Sequence, residues 1–217
     1  GSDLYLSLAD RSQAPYPGRI EQLAVTALCT NRDLPLLTPI GAGSTDFFLP
    51  DGGPVTTFEG LRVDAHYSFA TAPRADILVI PSTDGSLGRD LDDEAYMGYV
   101  TRAAEAAEWV LTVCDGAFPL GATGLLDGRV ATTFPADRAA MAERFPEVKV
   151  RDDVRLVVDG AYITSVGGGM SYEPAFWLVE HLWGPERVAG NAEGLVWPWD
   201  PATLPHLVVA RDSVADR

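Results

Sequence analysis

The chain has 217 residues, of which 47% are hydrophobic and 22% charged, enough apolar material for one buried core in a single domain and too much for wholesale disorder. Its 16 Lys and Arg stand against 31 Asp and Glu, a formal charge of −15. That surface repels phosphate backbones and anionic lipid, which argues against nucleic-acid and membrane-surface roles, while serving solubility.

Gly1-Ser2 reads as a cloning remnant, and no basic-then-apolar signal peptide follows it. Asp3–Ala9 (DLYLSLA) alternates apolar and polar residues, the period of a half-buried strand, and Gln22–Thr30 (QLAVTALCT) is a second β-like run. Pro35, Pro39, Gly41 and Gly43 then exclude an ordinary helix before Pro50. Asp51-Gly52-Gly53 reads as a turn ahead of strand-like Val55–Phe58 and Leu61–Val63.

From there strands and helices alternate. Ile77–Ile80 is a short, wholly apolar run between Asp76 and Pro81, as a central parallel strand covered on both faces requires. Residues from Asp92 to Glu108 place Tyr96, Tyr99, Val100, Ala103 and Ala107 at helical spacing. Trp109–Val113 is a second apolar strand running into Cys114-Asp115-Gly116. A helix is expected over Ala117–Leu126, a strand over Val130–Thr133, and a helix over Ala136–Phe145 ended by Pro146. Val154–Val158 and Ala161–Ser165 flank Asp159-Gly160, a strong hairpin signal. Gly167-Gly168-Gly169 leads to a helix over Glu173–Leu182. This alternation predicts an α/β fold with an open, mostly parallel sheet and helices on both faces.

The chemistry centres on Cys114. A strand stops at a nucleophile-capable residue, and a glycine follows two positions later where the backbone must turn into a helix. That geometry sets the sulfur at the carboxyl edge of the sheet, above helix N–H groups that favour a thiolate and can hold an oxyanion. Asp115 and the chain charge oppose a second anion. On pattern alone a free cysteine ending a strand is also a common inert core residue.

Three stretches carry a resemblance: ADILVIPS (Ala75–Ser82), VLTVCDGAFPLGATGLLDGRVATTFP (Val110–Pro135) and YITSVGGGMSYEPAFWLVEHLWG (Tyr162–Gly184). In that order they resemble the ThiJ/PfpI superfamily, the cysteine-elbow relatives of class I glutamine amidotransferases. The resemblance covers about residues 53–200 and implies a flavodoxin-like sandwich, commonly a homodimer, with Cys114 as the reactive residue. The members it implies include isonitrile hydratases, glyoxalase-type lyases, intracellular proteases and stress proteins. Residues 1–48 do not match the family opening, an apolar strand whose loop carries an acid bonded to the elbow cysteine. Asp3–Asp51, above all Ala27–Pro35, instead resembles a type VI secretion baseplate subunit, so the chain reads as chimeric, joined near Asp51–Val55.

Residues 1–48 are therefore taken as an atypical opening and 49–210 as the ThiJ/PfpI-like body of one domain. If the Gln22–Thr30 strand fills the missing place in the sheet, Asp33 beyond it is the candidate acidic partner. The family's usual histidine positions hold Asp115 and Phe134, and its Pro-Gly-Gly is Pro81-Ser82-Thr83. His66, His181 and His206 read as surface or packing residues, and Trp177, Trp183, Trp197 and Trp199 as core or dimer-interface aromatics. The Gly167–Gly169 turn lacks the lysine of a nucleotide cradle and reads as lining the cysteine pocket. Cys29 and Cys114 have no CxxC-type spacing, and a reducing cytoplasm suits their number.

The expected function is a small-molecule hydratase, hydrolase or lyase with no cofactor and no metal. Cys114 is the nucleophile, Asp115 orients water or shuttles a proton, and the N–H groups of Asp115 and Gly116 stabilise negative charge. Ser82, Thr83, Gly167, Gly168 and Gly169 bound the substrate pocket. The alternatives are a non-catalytic ligand-binding or cysteine-oxidation-sensing domain, and an engineered chimeric scaffold without activity.

Overall fold

A computed structural model describes residues 22–27, 36–41, 44–45, 48–49, 55–56, 62–63, 67–83 and 85–210. The alternation legible in the sequence becomes an open, mixed sheet flanked by helices. Along its length run the strands His206–Val209, Leu156–Asp159, Tyr162–Ser165, Trp109–Val113, Ile77–Ile80, Gln22–Ala27 and Leu36–Gly41, and then the two-residue strands Phe48–Leu49 and Tyr67–Ser68. Gln22–Ala27, Ile77–Ile80, Trp109–Val113 and Tyr162–Ser165 form a parallel centre. The Leu156–Asp159/Tyr162–Ser165 hairpin is antiparallel, and Gly160 turns it at φ 65°. His206–Val209 adds a parallel edge beside Leu156–Asp159.

The apolar run Ile77–Ile80 serves both layers because its side chains alternate faces. Leu78 and Ile80 join Val100, Phe118, Leu120 and Met141 in one core layer, while Ile77 and Val79 join Leu111, Ile163, Leu178 and Leu182 in the other. Leu78 and Ile80 are fully buried, each such side chain contributing about 1.5–3 kcal/mol. Helix α1 (Glu94–Ala106) starts where the Asp93 carboxylate accepts the Ala95 and Tyr96 N–H groups at 2.9 and 3.0 Å. That cap satisfies two amides no helical carbonyl can reach. Its buried face is Tyr96, Tyr99, Val100 and Ala104, one stripe at helical period.

Helices α2 (Ala117–Ala122) and α3 (Arg138–Arg144) are shorter than their sequence patterns, and α4 (Glu173–Trp183) matches its pattern closely. Helix α5 (Pro185–Gly194) and the edge strand His206–Val209 have no counterpart in the sequence reading. The expected strand over Val130–Thr133 shortens to Val130–Ala131, paired with Lys149–Val150 outside the main sheet. Val55–Thr56 and Arg62–Val63 pair with each other.

Before residue 48 the Gln22–Ala27 strand lies parallel to Ile77–Ile80 and is followed by the antiparallel strand Leu36–Gly41. The opening thus takes the sheet position beside the central strand and continues into a second strand. Asp3–Ala9, Cys29, Asp33, the Asp51–Gly53 turn and His66 lie outside the described residues.

Candidate active site

Three strand ends meet at the carboxyl edge of the parallel centre, where open α/β sheets place their ligands. Ile80 runs into Pro81 and Ser82, Val113 into Cys114, and Ser165 into Val166 and Gly167. Register fixes their juxtaposition: Ile80 lies opposite Thr112, and Ser165 opposite Val113. The Ser165 hydroxyl donates to the Thr112 carbonyl at 2.9 Å and locks the last rung.

Cys114 then turns the chain with φ 59°, in the left-handed region that L-residues enter at a cost. A short 3₁₀ turn, Cys114–Gly116, leads directly into α2. Two glycines make room for it. A Cβ at Gly116 would stand 2.2 Å from the Ile80 carbonyl oxygen, and one at Gly167 would stand 2.5 Å from the Cys114 Cβ. Gly167 also has φ 68°. Behind the elbow, the Thr133 hydroxyl donates to the Cys114 carbonyl at 3.0 Å.

Burial pushes the Cys114 thiol above its ordinary value, and the Asp115 and Asp137 carboxylates push the same way. Hydrogen bonds from the Asp115 backbone N–H and the Ser82 hydroxyl act in the opposite direction. The pull of the Asp115 N–H toward a thiolate is therefore outweighed: α2 has six residues, and desolvation prevails. Asp115 is itself raised, first by burial and then by Asp137, while hydrogen bonds from Ser82 and Ser86 favour its charged form. Its Oδ1 is buried without a hydrogen-bond partner.

The loop after Ser82 is held from below. Ser86 is fully buried, and its hydroxyl accepts the Thr83 N–H at 2.9 Å and lies 3.1 Å from the Thr83 hydroxyl. The Thr83 hydroxyl donates to the buried Asp90 carboxylate and accepts the Gly85 N–H at 3.1 Å. Of the expected pocket residues, Gly167 packs against Cys114, Ser82 favours its charged form, Thr83 faces the buried Asp90 network, and Gly168 and Gly169 are exposed. Ser86, Asp90, Thr133 and Asp137 were not singled out in the sequence, since no motif spacing ties them to Cys114.

On the far side of the Gly167 turn, Arg155 Nη2 lies 3.0 Å from Glu173 Oε1 at the start of α4. Burial raises the Glu173 carboxyl and Arg155 lowers it. Trp177 stacks on His181, Trp199 Nε1 donates to Glu180 at 2.6 Å, and Trp183 and Trp197 pack beside them. His206 Nδ1 lies 2.8 Å from the Leu204 carbonyl. The four tryptophans pack into the core around α4, one of the two places read for them, and His206 lies on the edge strand opposite Leu156. A shallow cleft of about 430 Å³ between Leu87, Phe118, Ala140, Glu143 and Arg144 lies apart from the elbow. Among the described residues, Cys114 is a free thiol, no group of three metal-ligating side chains is assembled, and no helix is long and apolar enough to cross a membrane.

The sheet order and the strained cysteine elbow define a flavodoxin-like cysteine-elbow protein. The chain belongs to the DJ-1/PfpI family, whose model matches residues 39–181. It is 34% identical over 118 residues to isonitrile hydratase of Pseudomonas putida, an alignment spanning 54% of this chain and 49% of the relative. The crystal structure of a ThiJ/PfpI family protein from Pseudomonas syringae superposes with a TM-score of 0.60 at 25% identity, covering 71% of this chain and 63% of that one. The opening matches a second model, the type VI secretion system protein TssF, over residues 1–67. There the chain is 54% identical over 55 residues to TssF1 of Pseudomonas aeruginosa, 25% of this chain but 9% of the relative. The chain thus spans a small part of one of these curated relatives and about half of the other. The two matches are those of a chimeric chain, a TssF-like segment leading into a DJ-1/PfpI body.

Proposed function

We propose that the protein is a cysteine-dependent enzyme acting on small electrophilic molecules, a hydratase, hydrolase or lyase of the isonitrile-hydratase type. The observation that carries this reading is Cys114 held at φ 59° on the sheet's carboxyl edge, in the turn that leads directly into α2. A residue kept in a costly backbone conformation by two glycines and a hydroxyl is a feature of functional sites. The thiolate attacks an electrophilic carbon, the N–H groups of Asp115 and Gly116 take up developing negative charge, and Asp115 orients the attacking water. Ser82 and the Gly167–Gly169 turn bound the substrate. The likeness to isonitrile hydratase supports the substrate class. A cytoplasmic homodimer belongs to the same reading, and light scattering at about twice the 23.2 kDa chain mass checks the dimer.

The test is turnover of a panel of isonitriles and 2-oxoaldehydes by the full chain and by Cys114→Ser. Turnover by the former, lost in the latter by at least about 10³-fold, supports the assignment. Turnover that Cys114→Ser leaves unchanged overturns it.

A second reading, a cysteine-oxidation sensor without turnover, is favoured by one observation. The charged groups acting on the sulfur are the acids Asp115 and Asp137, where an enzyme of this kind uses a base. Peroxide-dependent conversion of Cys114 to sulfinic acid, read by peptide mass with no turnover on the panel, selects this alternative.

A further inference from the structure

The family's Pro-Gly-Gly turn is Pro81-Ser82-Thr83 in this chain, so a turn shaped elsewhere by the lack of side chains carries two hydroxyls here. Its backbone lies against the elbow: a Cβ at Gly116 would stand 2.2 Å from the Ile80 oxygen, 2.7 Å from the Pro81 oxygen and 2.8 Å from the Pro81 carbonyl carbon. Gly167 closes the opposite side, where a Cβ would stand 2.5 Å from the Cys114 Cβ. The first wall is held by a buried polar set, Thr83, Ser86 and Asp90. The Thr83 hydroxyl donates its one proton to the Asp90 carboxylate, so at the 3.1 Å contact between the two hydroxyls Ser86 is the donor. Thr83 Oγ1 also accepts the Gly85 N–H at 3.1 Å, and Ser86 Oγ accepts the Thr83 N–H at 2.9 Å. The Thr83 hydroxyl thereby gives one hydrogen bond and receives two, its full capacity.

Asp90 anchors the set. It lies in the 3₁₀ turn Arg89–Asp92, just ahead of α1, and its N–H donates to the Gly85 carbonyl at 3.2 Å. A Cβ at Gly85 would stand 2.0 Å from Asp90 Oδ1, so the loop closes on the carboxylate only because that residue has no side chain. Asp90 is 5% exposed, while Arg89 Nε stands 3.8 Å from its Oδ1 on a side chain 48% exposed, a geometry that stabilises little. A carboxyl is costly to bury unless it is bonded, and an apolar residue would fill the same place at less cost, so the acid is accounted for by the turn it holds. We propose that Asp90 is a positioning residue: through the Thr83 hydroxyl it fixes the Pro81–Ser82 wall against Gly116 and so sets the width of the space over Cys114, admitting small electrophiles over bulky ones. The bonded turn takes the place of the diglycine in this chain.

This role rests on Cys114 being the reactive residue of the proposed enzyme and on no particular substrate. Its test is the ratio of Cys114 alkylation rates by N-ethylmaleimide and by the smaller iodoacetamide, followed by peptide mass in the folded full chain. Both reagents take the thiolate, so the ratio at a single pH is insensitive to the thiol's acidity. Thr83→Val and Asp90→Leu should each raise the ratio by about three-fold or more, and the two together no further than either alone, since they break one bond. Thr83→Ser, which keeps the hydroxyl, should retain the parent ratio. So should Val188→Ala, a core truncation in α5 that lowers stability away from the elbow. Circular dichroism of each variant confirms that the fold is kept; should Asp90→Leu unfold, Thr83→Val, which removes only the hydroxyl at nearly constant shape, decides alone. An unchanged ratio in Thr83→Val, effects that add, or an equal rise in Val188→Ala overturns the positioning role. A parent chain whose Cys114 neither reagent modifies overturns the reactive-cysteine reading and this role with it. The other outcomes leave the turnover experiment untouched, so the two failures are told apart.

Discussion

Cys114, Gly116 and Gly167 form one steric unit, because the left-handed turn at the first is possible only while the other two lack side chains. Gly116→Ala drives a methyl against the backbone oxygens of Ile80 and Pro81, neither of which is a flexible side-chain end. Overpacking of that kind costs about 1–3 kcal/mol, and contact with main chain puts it in the upper part of the range. The expected outcome is a lower urea midpoint with unchanged slope, together with altered Cys114 alkylation; an unchanged midpoint would show that the elbow opens freely. Much of this unit was readable in advance. A strand ending in Cys-Asp-Gly specifies the turn, and Gly167 was assigned to the same pocket. What the sequence concealed is the thiol's acidity. The N-terminus of α2 promised a thiolate, but the depth of the site, set by three converging strand ends, raises the thiol instead. Burial depends on what the fold stacks around a residue, and spacing along the chain does not report it.

Secondary-structure elements were legible where one physical signal acted alone. The apolar runs Ile77–Ile80 and Trp109–Val113 are the central parallel strands expected of them, and the hairpin forms where Asp159-Gly160 signalled it, though Asp159 joins the ladder opposite Tyr162 and Gly160-Ala161 make the turn. Helix α5 was hidden because Gly184-Pro185 reads as a stop after α4. In the fold Gly184, at φ 87°, ends one helix and Pro185 opens the next, the position where a proline loses nothing by lacking its N–H. The strand Leu36–Gly41 was hidden by Pro39, which sits within it opposite Ala24. Another pairing that no motif announced joins two elements behind the pocket: Arg155, just before the Leu156–Asp159 strand, reaches Glu173 at the start of α4. Glu173 is 4% exposed, so removing its partner leaves a buried carboxyl with no cation. For fully buried pairs that loss is about 3–5 kcal/mol, but the Arg155 side chain is 37% exposed, and water makes up part of the difference. Arg155→Met should therefore lower stability by about 1–2 kcal/mol, measured by urea unfolding. Because Glu173 can also become neutral, the deficit should shrink as pH falls toward about 5. A deficit independent of pH would assign the effect to packing of the arginine stem alone.

For the whole molecule, the two halves of the chain share one sheet, so the TssF-like opening and the DJ-1/PfpI body are joined by the Gln22–Ala27 ladder beside the central strand. The full chain carries a net charge of −15, and in the body several acidic groups are displaced in one direction. Burial raises Asp115, Glu173, Cys114 and Tyr162, lifts Tyr99 to about 12, and drives Tyr96 higher still. For each of these groups the folded state binds the proton more tightly than the unfolded chain. The stability it contributes is complete below the unfolded pKa and is lost as pH rises through the folded one. The carboxyls therefore act above about pH 4, the thiol above about 8.5 and the tyrosines above about 10. Asp153 is the opposite case, lowered by its hydrogen bond from Arg151, but both side chains are open to solvent, where such a pair contributes little. Mutual repulsion of the acidic surface adds to the same trend and is screened by salt. The melting temperature should accordingly rise as pH is lowered from about 8 to about 5.5, the reverse of ordinary acid destabilisation. At about pH 8 it should rise again with added salt, and above about pH 10 it should fall steeply. Phe substituted for Tyr99 should soften that alkaline fall, since it removes a phenol whose ionisation favours unfolding. Differential scanning calorimetry across that range decides the matter: a melting temperature that drops on mild acidification at constant ionic strength would mean that paired, lowered carboxylates govern the molecule, and that the buried acids around Cys114 do not.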